Sequence, residues 1–155
     1  MSRVFIGLGS NLGNRKETLR RALELLGTRA NVAVVRVSSF RETDPVGFRD
    51  QPPFLNAAAE LETSLAPHAR LDVMLDVERE LGRTRDGPRF GPRIVDLDVL
   101  LVDEVVLDDP GLTVPHPRLH ERAFALVPLA ELDPDLLVPG KGTVSELLHR
   151  LDSDR

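Results

Sequence analysis

The stretch RIVDLDVLLVD, residues 93–103, limits most narrowly what this chain can fold into. Its β-branched and leucine-rich run over 94–103 predicts a strand, yet Asp96 and Asp98 interrupt it. Side chains two apart on a strand share a face. The acids therefore fall together, while Val95, Leu97 and Val99 turn the other way, toward a core. Leu100 and Val102 are expected to continue the acid face, and residues 104–109, EVVLDD, to pair with this strand. Two carboxylates about 5–6 Å apart repel by roughly 3 kcal/mol at an effective dielectric of about 20. A cation between them reverses that sign. Hard oxygen ligands suit Mg²⁺, which takes one or two carboxylates and completes its shell with water and phosphate oxygens. The plainer alternative is the solvated face of an edge strand, and the apolar residues expected on that face argue against it.

The preceding loop, residues 82–93, GRTRDGPRFGPR, carries Arg83, Arg85, Arg89 and Arg93. The whole chain has 18 arginines and two lysines, Lys16 and Lys141, so its cations are almost all guanidinium forks that match phosphate oxygens. Arginines beside a Mg²⁺ site are what a triphosphate needs, although charged loops also serve solubility alone. His116 and Arg122 offer two further phosphate contacts, while a histidine between prolines is otherwise a rigid turn. The net charge is −5, so no global basic field attracts nucleic acid or an anionic membrane, and any polyanion site must be local. Glu78 lies seven residues after Leu71 on the apolar stripe of its helix. A carboxylate there needs a partner or an exposed end of the stripe.

Phe54 and Asn56, in FLNAAA, share one side of a strand. An aromatic face stacks on a flat ring, and a carboxamide both donates to and accepts from a ring edge. Thr43 and the Pro-fixed turn after it lie just upstream, and Phe124 is placed to close such a pocket from the other side. Taken singly, each phenylalanine is equally a core residue. GLGSNLGN (7–14) has neither the spacing nor the lysine of a phosphate-binding P-loop, and Leu12 stands where a third dinucleotide-loop glycine belongs, so it reads as a turn at a strand end.

The remaining pattern alternates strands and helices, as in helices packed on a sheet. A strand at 3–11 leads to a helix from Arg15, with Leu19, Leu23 and Leu26 on one stripe, Asn14 as cap and Gly27 as stop. A strand at 31–40, a loop at 43–53 and a strand at 54–63 follow. The next helix starts at Pro67, carries Leu71, Met74, Leu75 and Leu81, and ends at Gly82. Residues 110–117 are expected to be loop and 118–127 a short helix. Thr143 and Glu146 form a capping box for a last helix with Leu147, Leu148 and Leu151. The 155 residues suit a single domain, 1–155, with a sizeable core. Cysteine is absent, which excludes disulfides and thiolate metal sites. No signal peptide and no run of about 18 apolar residues is present, so a cytoplasmic protein is expected.

GLGSNLGN, SSFRETDPVG, QPPFLNAAAELET, RFGPRIVDLDVLL and LTVPHPRLHERAFALVPLAEL occur in this order. Together they resemble the 6-hydroxymethyl-7,8-dihydropterin pyrophosphokinases of folate biosynthesis, over nearly the whole chain. The resemblance implies a ferredoxin-like α+β sandwich, a mainly antiparallel sheet with helices packed on it and loops that close over the substrates. It implies pyrophosphoryl transfer from ATP to the hydroxymethyl oxygen of the pterin, with release of AMP. Two Mg²⁺ ions are then held by Asp96 and Asp98. The pterin pocket maps onto Thr43, Val46, Phe54, Asn56 and Phe124. ATP contacts map onto Glu78, Arg83, Arg85, Arg93, His116 and Arg122, and catalysis falls to Arg83, Arg93, Asp96 and Asp98. The expected partners are ATP and the pterin, with neither nucleic acid nor membrane, and a monomer is expected. The chain departs from some members at Asp44, Phe90 and Pro117, none of which touches the acids. Two rivals are another Mg²⁺-dependent D-x-D nucleotidyl or glycosyl transferase and a non-catalytic module whose arginine loop docks an acidic protein. The second leaves Asp96, Asp98 and Asn56 without a purpose.

Overall fold

Two interleaved side-chain series in the first strand, Val4/Ile6/Leu8 and Phe5/Gly7/Gly9, set the layers of the molecule. The computed structural model describes residues 2–11, 13–43, 53–82, 95–103, 105–109 and 111–153. Strand β1 (Ser2–Ser10) is central and packs into a different core on each face. The first helix and the next two strands are α1 (Arg15–Thr28), β2 (Val32–Val37) and β3 (Arg41–Thr43). They are followed by β4 (Phe54–Thr63), α2 (Pro67–Glu80) and β5 (Asp96–Val102). β1 pairs antiparallel with β4 on one side and β5 on the other, and β2 and β3 both pair with β4. The sheet order is β2-β4-β1-β5, with β3 attached to β4. With α1 and α2 as the crossovers, this is the ferredoxin-like topology.

Val4, Ile6 and Leu8 pack with Leu19, Ala22 and Leu26 of α1 and Met74 and Val77 of α2. The opposite face is covered by α3 (Ala123–Leu132) and α4 (Val144–Ser153). There Phe5, Ala58 and Leu101 meet Leu126, Leu129 and Leu147. Two hairpins, β6 (Leu107–Asp109) with β7 (Leu112–Val114) and β8 (Leu137–Val138) with β9 (Gly142–Thr143), and a 3-10 turn at Leu119–Glu121 complete the described elements. Ala57, Ala58 and Ala59 favour helix by propensity, yet form strand because β4 is buried on both faces, where small side chains admit helices from either side.

Local signals account for several boundaries. Asn14 Oδ1 accepts from the Glu17 N–H at 3.2 Å. Thr143 and Glu146 exchange the two bonds of a capping box, at 3.0 and 3.1 Å. Other expectations fail for tertiary reasons. Gly27 lies within α1, which ends at Thr28, and the strand expected over 31–40 stops at Val37. β3 was not foreseen, because three residues carry no readable period. Residues 107–109 pair with β7, inside the expected loop, and not with β5. The helix expected to end at 127 continues through Pro128 to Leu132, because Pro128 is buried in the α3 packing.

The strand of acids also departs from simple alternation. Phe5 faces Leu101 and Ile6 faces Val99, so Leu100 is an extra residue in β5. Leu100 and Leu101 both join the α3/α4 core, while Val102 returns to the α1/α2 core beside Leu97 and Val99. The expected acid face therefore continues to Leu100 but not to Val102, since a bulge consumes one step of the alternation.

Candidate functional site

Gly9 occupies the middle of the site. In the sheet register it faces Asn56 of β4 on one side and Asp96 of β5 on the other, and Gly7 faces Asp98. Paired residues point to the same face. Asn56, Asp96 and Asp98 therefore project from one surface, with two glycines adding no side chain between them. Strands lie about 4.8 Å apart, so Asn56 and Asp96 are separated by about 10 Å across β1. A Cβ on Gly9 would fall 3.0 Å from Asn56 Oδ1 and 3.6 Å from Phe54 Cδ1. The Asn56 carboxamide thus lies over the glycine. The turn expected at 7–14 begins only after Ser10, and Gly7 and Gly9 are positions of the candidate site that the turn reading missed. Two glycines at i and i+2 inside a strand pattern were the available signal, since they mark a face kept free for close approach.

The polar pocket is assembled on the same face. Thr43 pairs with Phe54 and Arg41 with Asn56 across β3 and β4. Asn56 is 7% exposed, and its Nδ2 donates to Thr43 Oγ1, which leaves Oδ1 on the Gly9 side. Phe54 and Phe124 are both half-buried. Phe124 stands in the first turn of α3, which packs against β4, and the Arg122 guanidinium lies 5.4 Å from its ring centroid. Val46 lies outside the described residues.

The acids are half-buried, and β5 is held from behind. Glu78 is 2% exposed, and its Oε2 accepts from the Leu97 N–H at 2.9 Å, between the two aspartates. The anomalous carboxylate on the α2 stripe is therefore neither an exposed end nor turned outward. Its Oε2 is directed at the strand backbone. His116 is tied to the bulge by its N–H, which donates to Leu100 C=O at 2.9 Å. Its Nδ1 accepts from the Arg118 N–H at 3.2 Å. Burial, with Arg122 nearby, lowers the His116 pKa to about 4 against the opposing pull of Asp96. The ring is thus neutral at neutral pH, with its proton on Nε2. His116, Arg122 and Asp96 are close enough for their charges to interact. Arg83, Arg85, Arg89 and Arg93, like Asp44 and Phe90, lie outside the described residues.

Hard carboxylate oxygens on a surface without intervening side chains fit a divalent cation. Among the described residues no cluster of three metal-binding side chains forms. Two acids leave most of an octahedral shell to water and phosphate, which is the usual way Mg²⁺ is bound.

Comparison with known proteins gives the following likenesses. The profile of the family described as 7,8-dihydro-6-hydroxymethylpterin-pyrophosphokinase (HPPK) matches residues 5–134. The chain is 52% identical over 129 residues to the 2-amino-4-hydroxy-6-hydroxymethyldihydropteridine pyrophosphokinase of Bacillus subtilis, a match covering 83% of this chain and 77% of that one. It is 45% identical over 152 residues to the protein of the same name from Methylorubrum extorquens, covering 98% and 95%. An HPPK-DHPS solved in complex with substrates superposes with a TM-score of 0.76 at 11% identity, over 99% of this chain and 44% of that one. Wild-type Plasmodium falciparum HPPK-DHPS superposes with a TM-score of 0.72 at 13% identity, over 99% and 44%. At such identities the structural likeness is one of fold, and this chain spans less than half of those fused chains.

Proposed function

The chain belongs to the 7,8-dihydro-6-hydroxymethylpterin-pyrophosphokinase family and transfers pyrophosphate from ATP to 6-hydroxymethyl-7,8-dihydropterin, and we propose that the surface around Gly9 carries out the transfer. The observation that supports this most is the placement of Asn56 and Asp96 on either side of a strand position without a side chain. A ring whose edge is read by Asn56 has its hydroxymethyl arm directed across Gly9 toward the acids.

In this reading Phe54 and Phe124 stack on the pterin, and Asn56, Thr43 and Val46 with its neighbouring backbone read the ring edge. Asp96 and Asp98 hold two Mg²⁺ ions with the ATP phosphates. Bound there, the metal would supply neutralisation of phosphate charge and a lowered pKa for the attacking hydroxyl. Arg83, Arg85, Arg93, His116 and Arg122 bind the phosphates, His116 donating from Nε2. Glu78 acts on ATP indirectly, by holding Leu97 and so both acids. The hydroxymethyl oxygen attacks the β-phosphorus in line and gives up its proton to solvent water, the bond from that phosphorus to the α–β bridging oxygen breaks, and AMP leaves with the electron pair. Arg83 and Arg93 offset the charge that develops there. Catalysis rests on alignment and charge, so no nucleophilic side chain is needed.

We assign this activity to one domain spanning 1–155, working as a cytoplasmic monomer on small molecules and on neither nucleic acid nor membrane, in keeping with the net charge of −5. Among the described residues, no helix is long and apolar enough to cross a membrane. Product analysis tests the reaction. AMP and the pterin diphosphate are expected in equal amounts. Inorganic pyrophosphate or a nucleoside diphosphate as product would favour a different D-x-D transferase, and absence of turnover a binding module.

A further inference from the structure

Arg15 opens α1, yet its guanidinium serves another part of the chain. Its Nη1 donates to Pro53 C=O at 2.8 Å and its Nη2 to Glu42 Oε2 at 3.0 Å. One acceptor lies within the three-rung ladder of β3 and β4 and the other just before it. Glu42 sits in the middle rung opposite Leu55, and Pro53 immediately precedes Phe54. The outer rungs, Arg41–Asn56 and Thr43–Phe54, carry the side chains that build the pocket on the opposite face. From that face Glu131 of α3 accepts from Ser39 N–H, from Ser39 Oγ at 2.5 Å and from Arg41 at 3.4 Å. A ladder of three rungs has few bonds of its own to fix its geometry. It is braced instead from α3 by Glu131 and from α1 by Arg15.

We propose that Arg15 is a positioning residue for pterin binding. By clamping Glu42 and Pro53 together it fixes the Thr43–Phe54 rung, and through the Thr43 hydroxyl it fixes the orientation of the Asn56 carboxamide. The proposal rests on the assignment of Thr43, Phe54 and Asn56 to the pterin. A guanidinium suits the task because its planar fork presents two N–H groups in fixed geometry, one for a carbonyl and one for a carboxylate. An ammonium at the same place is a point charge on a flexible stem. Among the described residues, the guanidinium bonds of Arg15 run to Pro53 and Glu42 and not to Thr43, Phe54 or Asn56. It acts only through the backbone of β3 and the start of β4.

The experiment compares Arg15→Ala, Arg15→Lys and Glu42→Ala with wild type and with Asn56→Ala as reference. Pterin fluorescence reports binding in the presence of Mg²⁺ and a non-hydrolysable ATP analogue. Affinity for the analogue and thermal unfolding are measured separately. Loss of two charge-assisted bonds is expected to weaken pterin binding about tenfold in Arg15→Ala, with a smaller loss in Arg15→Lys. Analogue affinity should stay at the wild-type level. Wild-type pterin affinity in folded Arg15→Ala overturns the proposal. So does an equal loss of pterin and analogue affinity accompanied by a fall in melting temperature, which marks a general structural role. Should Arg15→Ala not fold, Glu42→Ala decides, because it removes the carboxylate acceptor and keeps the Pro53 bond: weakened pterin binding supports the clamp and unchanged binding overturns it. If Asn56→Ala binds pterin as wild type does, the pocket assignment fails and the proposal with it. A harmful Asn56→Ala beside a neutral Arg15→Ala overturns the role of Arg15 alone.

Discussion

Asp96 and Asp98 are the residues proposed to hold the metal. Half-buried on one face of β5, they repel each other. Replacing either by alanine is expected to leave the fold intact. Turnover should fall about a thousandfold or more, because several kcal/mol of charge stabilisation disappear. Wild-type turnover in either variant at ordinary Mg²⁺ would sink the metal assignment. Gly9 poses the converse problem, since its value lies in what it lacks. Gly9→Ala places a Cβ 3.0 Å from Asn56 Oδ1, so the carboxamide must give way. A ring-edge group left unpaired costs about 1–3 kcal/mol. Pterin titration should show that loss, while thermal stability holds, because alanine is no worse than glycine in a strand. Unchanged pterin affinity would show that the carboxamide can move without consequence.

Among the elements, β5 depends most on a neighbour. Its Leu97 N–H is satisfied by Glu78, a side chain from α2. Glu78→Ala leaves that N–H unpaired, at a cost of about 1–3 kcal/mol, and frees the backbone that aims both aspartates. Both melting temperature and Mg²⁺-dependent turnover are expected to fall. Glu78→Gln keeps an acceptor for Leu97 and should lose less stability. Equal losses in the two variants would show that the carboxylate charge, and not the bond to Leu97, is what matters. The alternation of Asp96, Leu97, Asp98 and Val99 is legible in sequence because a strand has period two. The bulge at Leu100 is not, because it arises from how β1 and β5 are registered. His116 is attached to that bulge, so its place beside Asp96 follows from the register as well.

Over the whole molecule, several lowered carboxyl and imidazole pKa values act with the same sign, and Glu60 and His116 are the most buried of these groups. Burial raises the Glu60 pKa, but hydrogen bonds and charge from Arg36 and Arg3 outweigh it and hold the carboxyl below its ordinary 4.5. Its contribution to stability is present above that value and is lost as pH falls through the folded pKa. His116 has an ordinary pKa of 6.5 and a folded value of about 4. Between these, the unfolded chain binds a proton that the folded chain does not, so stability declines as pH falls across that window. Melting temperatures measured from pH 7.5 to 5 without nucleotide or divalent cation should therefore drop toward acid. His116→Gln should flatten that slope, and a slope equal to wild type would remove His116 as its source.

The sequence alone carries the signals of the candidate site: two acids one residue apart in a strand, a basic loop before them, and Phe54 and Asn56 on one side of another strand. It also determined most of the elements, through apolar periods and through caps such as Asn14 and the Thr143–Glu146 pair, because these depend on residues within one or two turns of each other. Only the tertiary structure decided that Gly7 and Gly9 separate the acids from Asn56, that Glu78 supports β5, and that Arg15 joins the two sides of the β3–β4 ladder. It likewise overrode local signals at Pro128, at β6 and at Val102. Each of these depends on which distant segments become neighbours in the sheet. Strand register and helix docking set those distances through burial summed over the whole core, and no local stretch of sequence contains that sum.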